Sequence, residues 1–229
     1  MKKVFHLFAV AMCSVLILTV VSCQEKNNPE ENGGISSNPV QAVDLGLPSG
    51  IKWANMNVGA TKPEEYGAYF AWGETKPKDK YIWITYFDAE DEGNTFIKYY
   101  NNGGKTSLDL EDDAAYVNWG ADWRMPTKAE LDELRTNCNW TWAENYNETG
   151  VKGYMVSSKT NSNSIFLPAA GYYQDSKLNN VEIFGVYYAS SLSEKKSSKV
   201  NVLSFYQNDV QIRDGGERYF GQSVRPVCK

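Results

Sequence analysis

The chain opens on an apolar run from Val4 to Val21, broken only by His6, Ser14 and Thr19, with Lys2 and Lys3 in front of it. A charged start, an apolar stretch and small residues at its end mark a secretory signal. Polar residues then take over. Positions 24–39 hold almost nothing apolar to offset ordering entropy, which predicts a flexible acidic tether. From Gln41 onward, apolar and aromatic runs alternate with turn residues, and no second linker or internal repeat interrupts them. The pattern divides the chain into a signal peptide over 1–22, a tether over 23–40 and one domain over 41–229.

Within the domain, helices are few. Thr127-Lys128-Ala129-Glu130 is a capping box, in which threonine and glutamate satisfy the first amides reciprocally, and Leu131, Leu134 and Cys138 follow at helical spacing. A second short helix is predicted over 110–118, behind an acidic first turn. The runs 69–72 and 81–84 are aromatic and favour extended backbone, as does 51–54. After Thr141 the pattern is that of strands, over 151–157, 164–167, 185–191, 200–205, 210–213 and 219–227. Gln207-Asn208 and Asp214-Gly215-Gly216 supply turns. Val210 and Ile212 alternate with Asp209, Gln211 and Arg213, as a half-exposed strand requires. The fold class predicted is α+β, strand-rich, with two short helices.

Charge and rare residues narrow the chemistry. The 229 residues carry 23 Lys and Arg against 28 Asp and Glu, a net charge of −5, which argues against nucleic-acid partners. The single histidine, His6, lies within the export segment, so the mature chain has no imidazole for a catalytic triad, zinc or haem. Asp88-Ala89-Glu90-Asp91-Glu92-Gly93 begins like a calcium loop, but its twelfth position is Tyr99 where a bidentate glutamate is required. Glu111, Asp112 and Asp113 offer carboxylates to calcium; helix capping and pairing with Arg124 or Arg225 is the reading we favour. No catalytic residue, metal or cofactor is expected, and the chain is not expected to be an enzyme.

Two resemblances add to this. Val20-Val21-Ser22-Cys23 resembles the bacterial lipobox, in which the cysteine is diacylated and becomes the new N-terminus. Fatty-acyl (palmitate-type) chains on Cys23 would hold the protein on a membrane, each buried methylene contributing about 0.8 kcal/mol. The acidic stretch behind Cys23 resembles surface-export signals of Bacteroidetes lipoproteins, which implies the outer membrane, facing outwards.

Seven phrases, at 43–54, 57–60, 69–74, 111–120, 123–130, 166–171 and 221–228, include Leu47-Pro48-Ser49-Gly50, Trp123-Arg124-Met125-Pro126-Thr127 and Ser223-Val224-Arg225-Pro226-Val227. Together they resemble the Fibrobacter succinogenes major paralogous domain. That resemblance implies a C-type lectin-like fold, shared with formylglycine-generating enzymes and variable receptor-binding proteins. Tyr188 stands where the family usually has tryptophan.

Cys138 and Cys228 are the cysteines left in the mature domain, and in an exported protein such a pair suggests a disulfide. A bridge from helix to last strand also resembles one in C-type lectins; two buried thiols are the alternative. Variable receptor-binding proteins of this fold carry their ligand surface on comparable C-terminal strands. On that likeness, and on the suitability of Tyr for binding surfaces, the ligand-binding residues expected are Tyr206, Asn208, Asp209, Gln211, Arg213 and Tyr219. The function expected is a non-catalytic, adhesin-like binding module for a glycan or a surface protein. The alternative is an accessory component of an envelope appendage or glycan-utilisation complex.

Overall fold

The computed structural model describes residues 40–229. The signal peptide, the lipidation site Cys23 and all of the tether but Val40 lie outside the described residues.

The domain is α+β and strand-rich, as its patterning predicts. Strands β1 (Ala42–Asp44) and β2 (Lys52–Ala54) pair antiparallel, and a short hairpin follows from β3 (Ala89–Glu90) and β4 (Thr95–Phe96). Helices α1 (Ala114–Trp119) and α2 (Lys128–Asn137) come next. A meander of β5 (Cys138–Ala143), β6 (Gly153–Ser158) and β7 (Ser164–Pro168) leads to the small hairpin of β8 (Tyr172–Gln174) and β9 (Lys177–Asn179). Three long strands, β10 (Gly185–Leu192), β11 (Lys199–Tyr206) and β12 (Asp209–Glu217), form the largest antiparallel ladder. Finally β13 (Val227–Cys228) returns to pair with β2, so the first sheet has the order β1-β2-β13.

Local chemistry accounts for the helices. The Thr127 side chain accepts from the Glu130 amide, and the Glu130 carboxylate accepts from the Thr127 amide, completing the capping box. Leu131 and Leu134 are fully buried by α2. The expected helix over 110–118 forms only from Ala114, because Asp113 is its N-cap and 110–112 is a separate 3₁₀ turn. One Asp113 oxygen accepts from Ala115 and Tyr116, and the other from the Met125 amide at 2.8 Å. Burial raises the Asp113 pKa although these three donors oppose it.

The main core lies between α2, the β5-β6-β7 sheet and one face of β10-β11-β12. Trp53, Leu131, Leu134, Val156, Leu167, Leu203 and Phe205 meet there. A second core, built from Phe70, Trp72, Tyr99, Ala115, Tyr188 and Val202, fills the opposite face of that ladder.

Four expectations are corrected. Residues 81–84 do not form a strand: Tyr81 makes a single bridge to Asp175, and Trp83–Thr85 is a 3₁₀ turn. Residues 69–72 contribute only one bridge, from Phe70 to Gln222. Asp214-Gly215-Gly216 does not turn the chain; β12 runs through it, absorbing one residue in a bulge opposite Val200 and Asn201. Of 219–227, only Val227 enters a strand, and the rest threads between segments through bridges to Phe70, Tyr173 and Tyr187.

The disulfide expectation is also corrected. Cys138 is a buried thiol with no bridge to Cys228. Strand alternation explains this: Val227 faces the main core that contains Cys138, so its neighbour Cys228 points the other way, towards Ala54 and Trp123. Burial pushes the Cys138 thiol up to about 11, which keeps it protonated and inert.

Candidate functional site

The β10-β11-β12 ladder positions the site. Residues opposite one another in an antiparallel pair share a face. Val202 lies between Tyr188 and Arg213, Ser204 between Val186 and Gln211, and Tyr206 opposite Asp209. The other face carries Tyr187, Leu203, Phe205, Val210 and Ile212 into the main core. The alternation expected for β12 is therefore present, and it sends Asp209, Gln211 and Arg213 away from α2.

On this second face the structure forms an open concavity of about 410 Å³. Val186, Val202 and Ser204 floor it, and an arc of rings walls it. Phe220 and Tyr172 stack at 5.2 Å and 5°, Tyr172 meets Phe184 at 6.1 Å and 85°, and Phe184 meets Tyr206 at 4.6 Å. Tyr188 holds this wall from beneath: its hydroxyl donates to the carbonyl of Glu217 at 2.7 Å and lies 2.9 Å from that of Phe220. Gly216 lets β12 close over the floor, since a β-carbon there would come within 2.5 Å of Val202 Cγ1.

Three side chains in this lining carry a buried polar atom without a partner among the described residues: Ser204, Gln222 and, at its Oδ1, the half-buried Asp214. Ser204 is 1% exposed and its Oγ has no partner among the described residues. Gln222 is 3% exposed; its Nε2 donates to the Glu217 carbonyl at 3.3 Å, which leaves Oε1 without a partner. A buried polar atom left unmade costs about 1–3 kcal/mol, so such atoms in a cleft mark a place where something else supplies the bond.

Of the six expected binding residues, the structure brings Tyr206 and Arg213 to this concavity. Tyr206 also lines a second concavity of about 300 Å³, with Trp142, Glu144, Lys152, Glu182, Ile183 and Gln207. Asp209 and Gln211 lie on the same sheet face but bond one another at 2.8 Å, and Asp209 pairs with Arg213 at 3.7 Å. Asn208 is exposed at the hairpin tip and lines neither concavity. Tyr219 turns into an aromatic cluster, 4.3 Å from Trp83 and 4.8 Å from Phe220, where burial raises its pKa. Sequence reasoning missed Tyr172, Phe184, Ser204, Phe220 and Gln222. The alternation of Val200, Val202, Ser204 and Tyr206 is a signal that places Ser204 beside Tyr206.

The other candidate cluster is filled by the chain itself. Lys98 Nζ sits 2.8 Å from Asp109, 2.8 Å from Glu111 and 2.7 Å from Asp112. The hydrogen bonds that Lys98 donates to these carboxylates raise its pKa well above the ordinary value. The cation there is an ammonium. Of the expected roles, Asp113 caps α1 and feels the charge of Arg124, although Arg124 bonds Glu130 through two nitrogens; Arg225 is buried elsewhere, among Asn57 Oδ1 and the carbonyls of Ala54 and Phe166.

No protein-family model matches the chain, and neither does any curated protein or solved structure.

Proposed function

We propose that this chain is a lipoprotein, anchored through Cys23 to the outer membrane and facing outwards, whose domain binds a glycan or a surface protein without chemistry. In this reading the domain belongs to the Fibrobacter succinogenes major paralogous family and has its C-type lectin-like fold. The lipobox, the acidic tether and the seven family phrases support the address and the fold. The observation that carries the function is the concavity on β10-β11-β12, where aromatic rings surround three buried polar atoms that have no partner among the described residues.

Aromatic rings with polar tips give contact area at low entropic cost, and desolvated polar atoms fix orientation. The test is binding of the soluble domain to a glycan array and to cell-surface proteins in a pull-down, repeated with Tyr206→Ala and Arg213→Ala. The expected result is a hit that Tyr206→Ala abolishes. A hit indifferent to both substitutions would move the site elsewhere, and turnover of a bound compound would overturn the reading. Recovery only as a fixed-stoichiometry envelope complex would favour the accessory-subunit alternative.

A further inference from the structure

The two concavities beside β11 abut across a single side chain. Tyr206, 39% exposed, lines both, and consecutive residues of one segment divide between them, Phe184 on the larger side and Ile183 on the smaller. Volumes of about 410 and 300 Å³ each match a small-ligand site, which commonly spans about 300–1,000 Å³. We propose that they form one groove for a neutral, linear saccharide chain, with successive sugar rings on either side of Tyr206. This rests on the binding-module reading above and names the ligand class of the same site.

The chemistry of the unsatisfied atoms selects the occupant. The Gln222 amide is oriented by its bond to the Glu217 carbonyl, so the group left for a ligand is Oε1, an acceptor only. Ser204 Oγ in the same lining can donate or accept. Ligand hydroxyls match this set, giving protons to Gln222 Oε1 and to Asp214 Oδ1, a further partnerless acceptor in the lining, and exchanging one with Ser204. A carboxylate or sulfate facing Gln222 Oε1 would meet a second acceptor and no proton between them.

Charge at the groove agrees. Among the described residues of the two linings acids outnumber bases, with Asp214, Glu217, Glu144 and Glu182 against Arg213, 3.7 Å from Asp209, and Lys152, 3.1 Å from Glu144, which disfavours an anionic occupant. The rings suit the apolar C–H face of a sugar: the arc ending at Phe184 and Tyr206 serves one concavity and Trp142 the other. Glu144 accepts from Trp142 Nε1 at 3.0 Å and from Gln207 Nε2 at 2.9 Å, which holds the indole in place.

The test uses the mature chain against immobilised neutral polysaccharides (glucans, mannans, xylans, galactans), acidic ones (polygalacturonate, heparin) and a random peptide display library. Retention by at least one neutral polymer is expected. Calorimetry with oligomers of one to six units from that polymer is then expected to show affinity rising at least about tenfold with length before it levels off. Tyr206→Ala lowers affinity for the longer oligomers about tenfold, whereas Trp142→Ala weakens only oligomers long enough to cross Tyr206. Ser204→Ala lowers affinity about fivefold while its unfolding temperature holds or rises, because the hydroxyl removed has no internal partner. A purely structural serine would lose unfolding temperature instead.

Retention only by acidic polymers or by peptides, lost in Tyr206→Ala, overturns the neutral glycan and keeps the binding module. Affinity independent of length overturns the continuous groove. Retention by nothing in the panel overturns the saccharide and removes support from the module reading together.

Discussion

Two regions of this domain bury polar groups, and they do so in opposite ways. Around Arg218 every group is matched. Its guanidinium, fully buried, donates to the Tyr86 hydroxyl, to the carbonyls of Tyr99 and Ser197, and to the Asp88 carboxylate. The rings of Trp72, Tyr86 and Phe96 lie 5.0, 5.1 and 4.5 Å from its central carbon. Asp88 in turn accepts from the backbone amides of Lys98 and Tyr99. At the concavity, Ser204 and Gln222 are as deeply buried and are left wanting. A completed network ties loops together; an incomplete one, opening on a cleft, leaves polar atoms that the proposed ligand would satisfy. The same burial thus has a structural meaning in one place and, under the function proposed above, a binding one in the other.

The comparison breaks most easily at Asp88. Asp88→Ala would leave the Arg218 guanidinium buried without its carboxylate, and a loss of about 3–5 kcal/mol in urea unfolding is expected. A loss below about 1 kcal/mol would show that the network is not holding the loops.

Alkali tests the same region more gently. Burial raises Tyr99 and Tyr81, each to about 12, from the ordinary value of 10.0. Their neutral forms are favoured by folding, so this stability is complete below about pH 10 and is lost as pH rises through the folded values near 12. Urea midpoints at several pH values should fall steadily over that window. A phenolate absorbance titration of native protein should lag that of unfolded protein.

The smallest effect belongs to the cleft rim. Arg213 is 42% exposed at its side chain and 3.7 Å from Asp209, so Arg213→Ala should change unfolding free energy by less than about 0.5 kcal/mol. A larger change would make Arg213 part of the scaffold and weaken its assignment to binding.

How much of this was legible in the sequence depended on whether a residue's role was local. The capping box of α2 and the alternation along β12 are local, and both were read correctly. The strands β6, β7, β10 and β11 were placed to within a few residues for the same reason. The aromatic runs at 69–72 and 81–84 misled because these tyrosines staple loops instead of pairing in ladders. Tyr69 donates to the Ala170 carbonyl, Tyr81 to that of Tyr69 and Tyr86 to that of Trp72, at 2.5 to 2.6 Å. Each bond joins segments whose proximity only the complete fold creates. The site divides similarly. Tyr206 and Arg213 were recoverable from one hairpin, but Tyr172, Phe184 and Phe220 reach the cleft from three separate segments. Gln222 lay in a phrase that carried the family resemblance, with nothing local to mark it as lining a cleft.

The segment 221–228 threads the middle of the molecule. Its backbone bonds Tyr173, Phe70, Tyr188, Val58, Ala54 and Arg124 in turn, and β13 zips against β2 with Val227 opposite Trp53. The β1-β2-β13 sheet, in which Val227 lies opposite Trp53, cannot close until that stretch is present. Folding of this domain is therefore completed only when nearly all of it is available, and a product truncated before 221 would lack the strand that pairs with β2 beside Trp53.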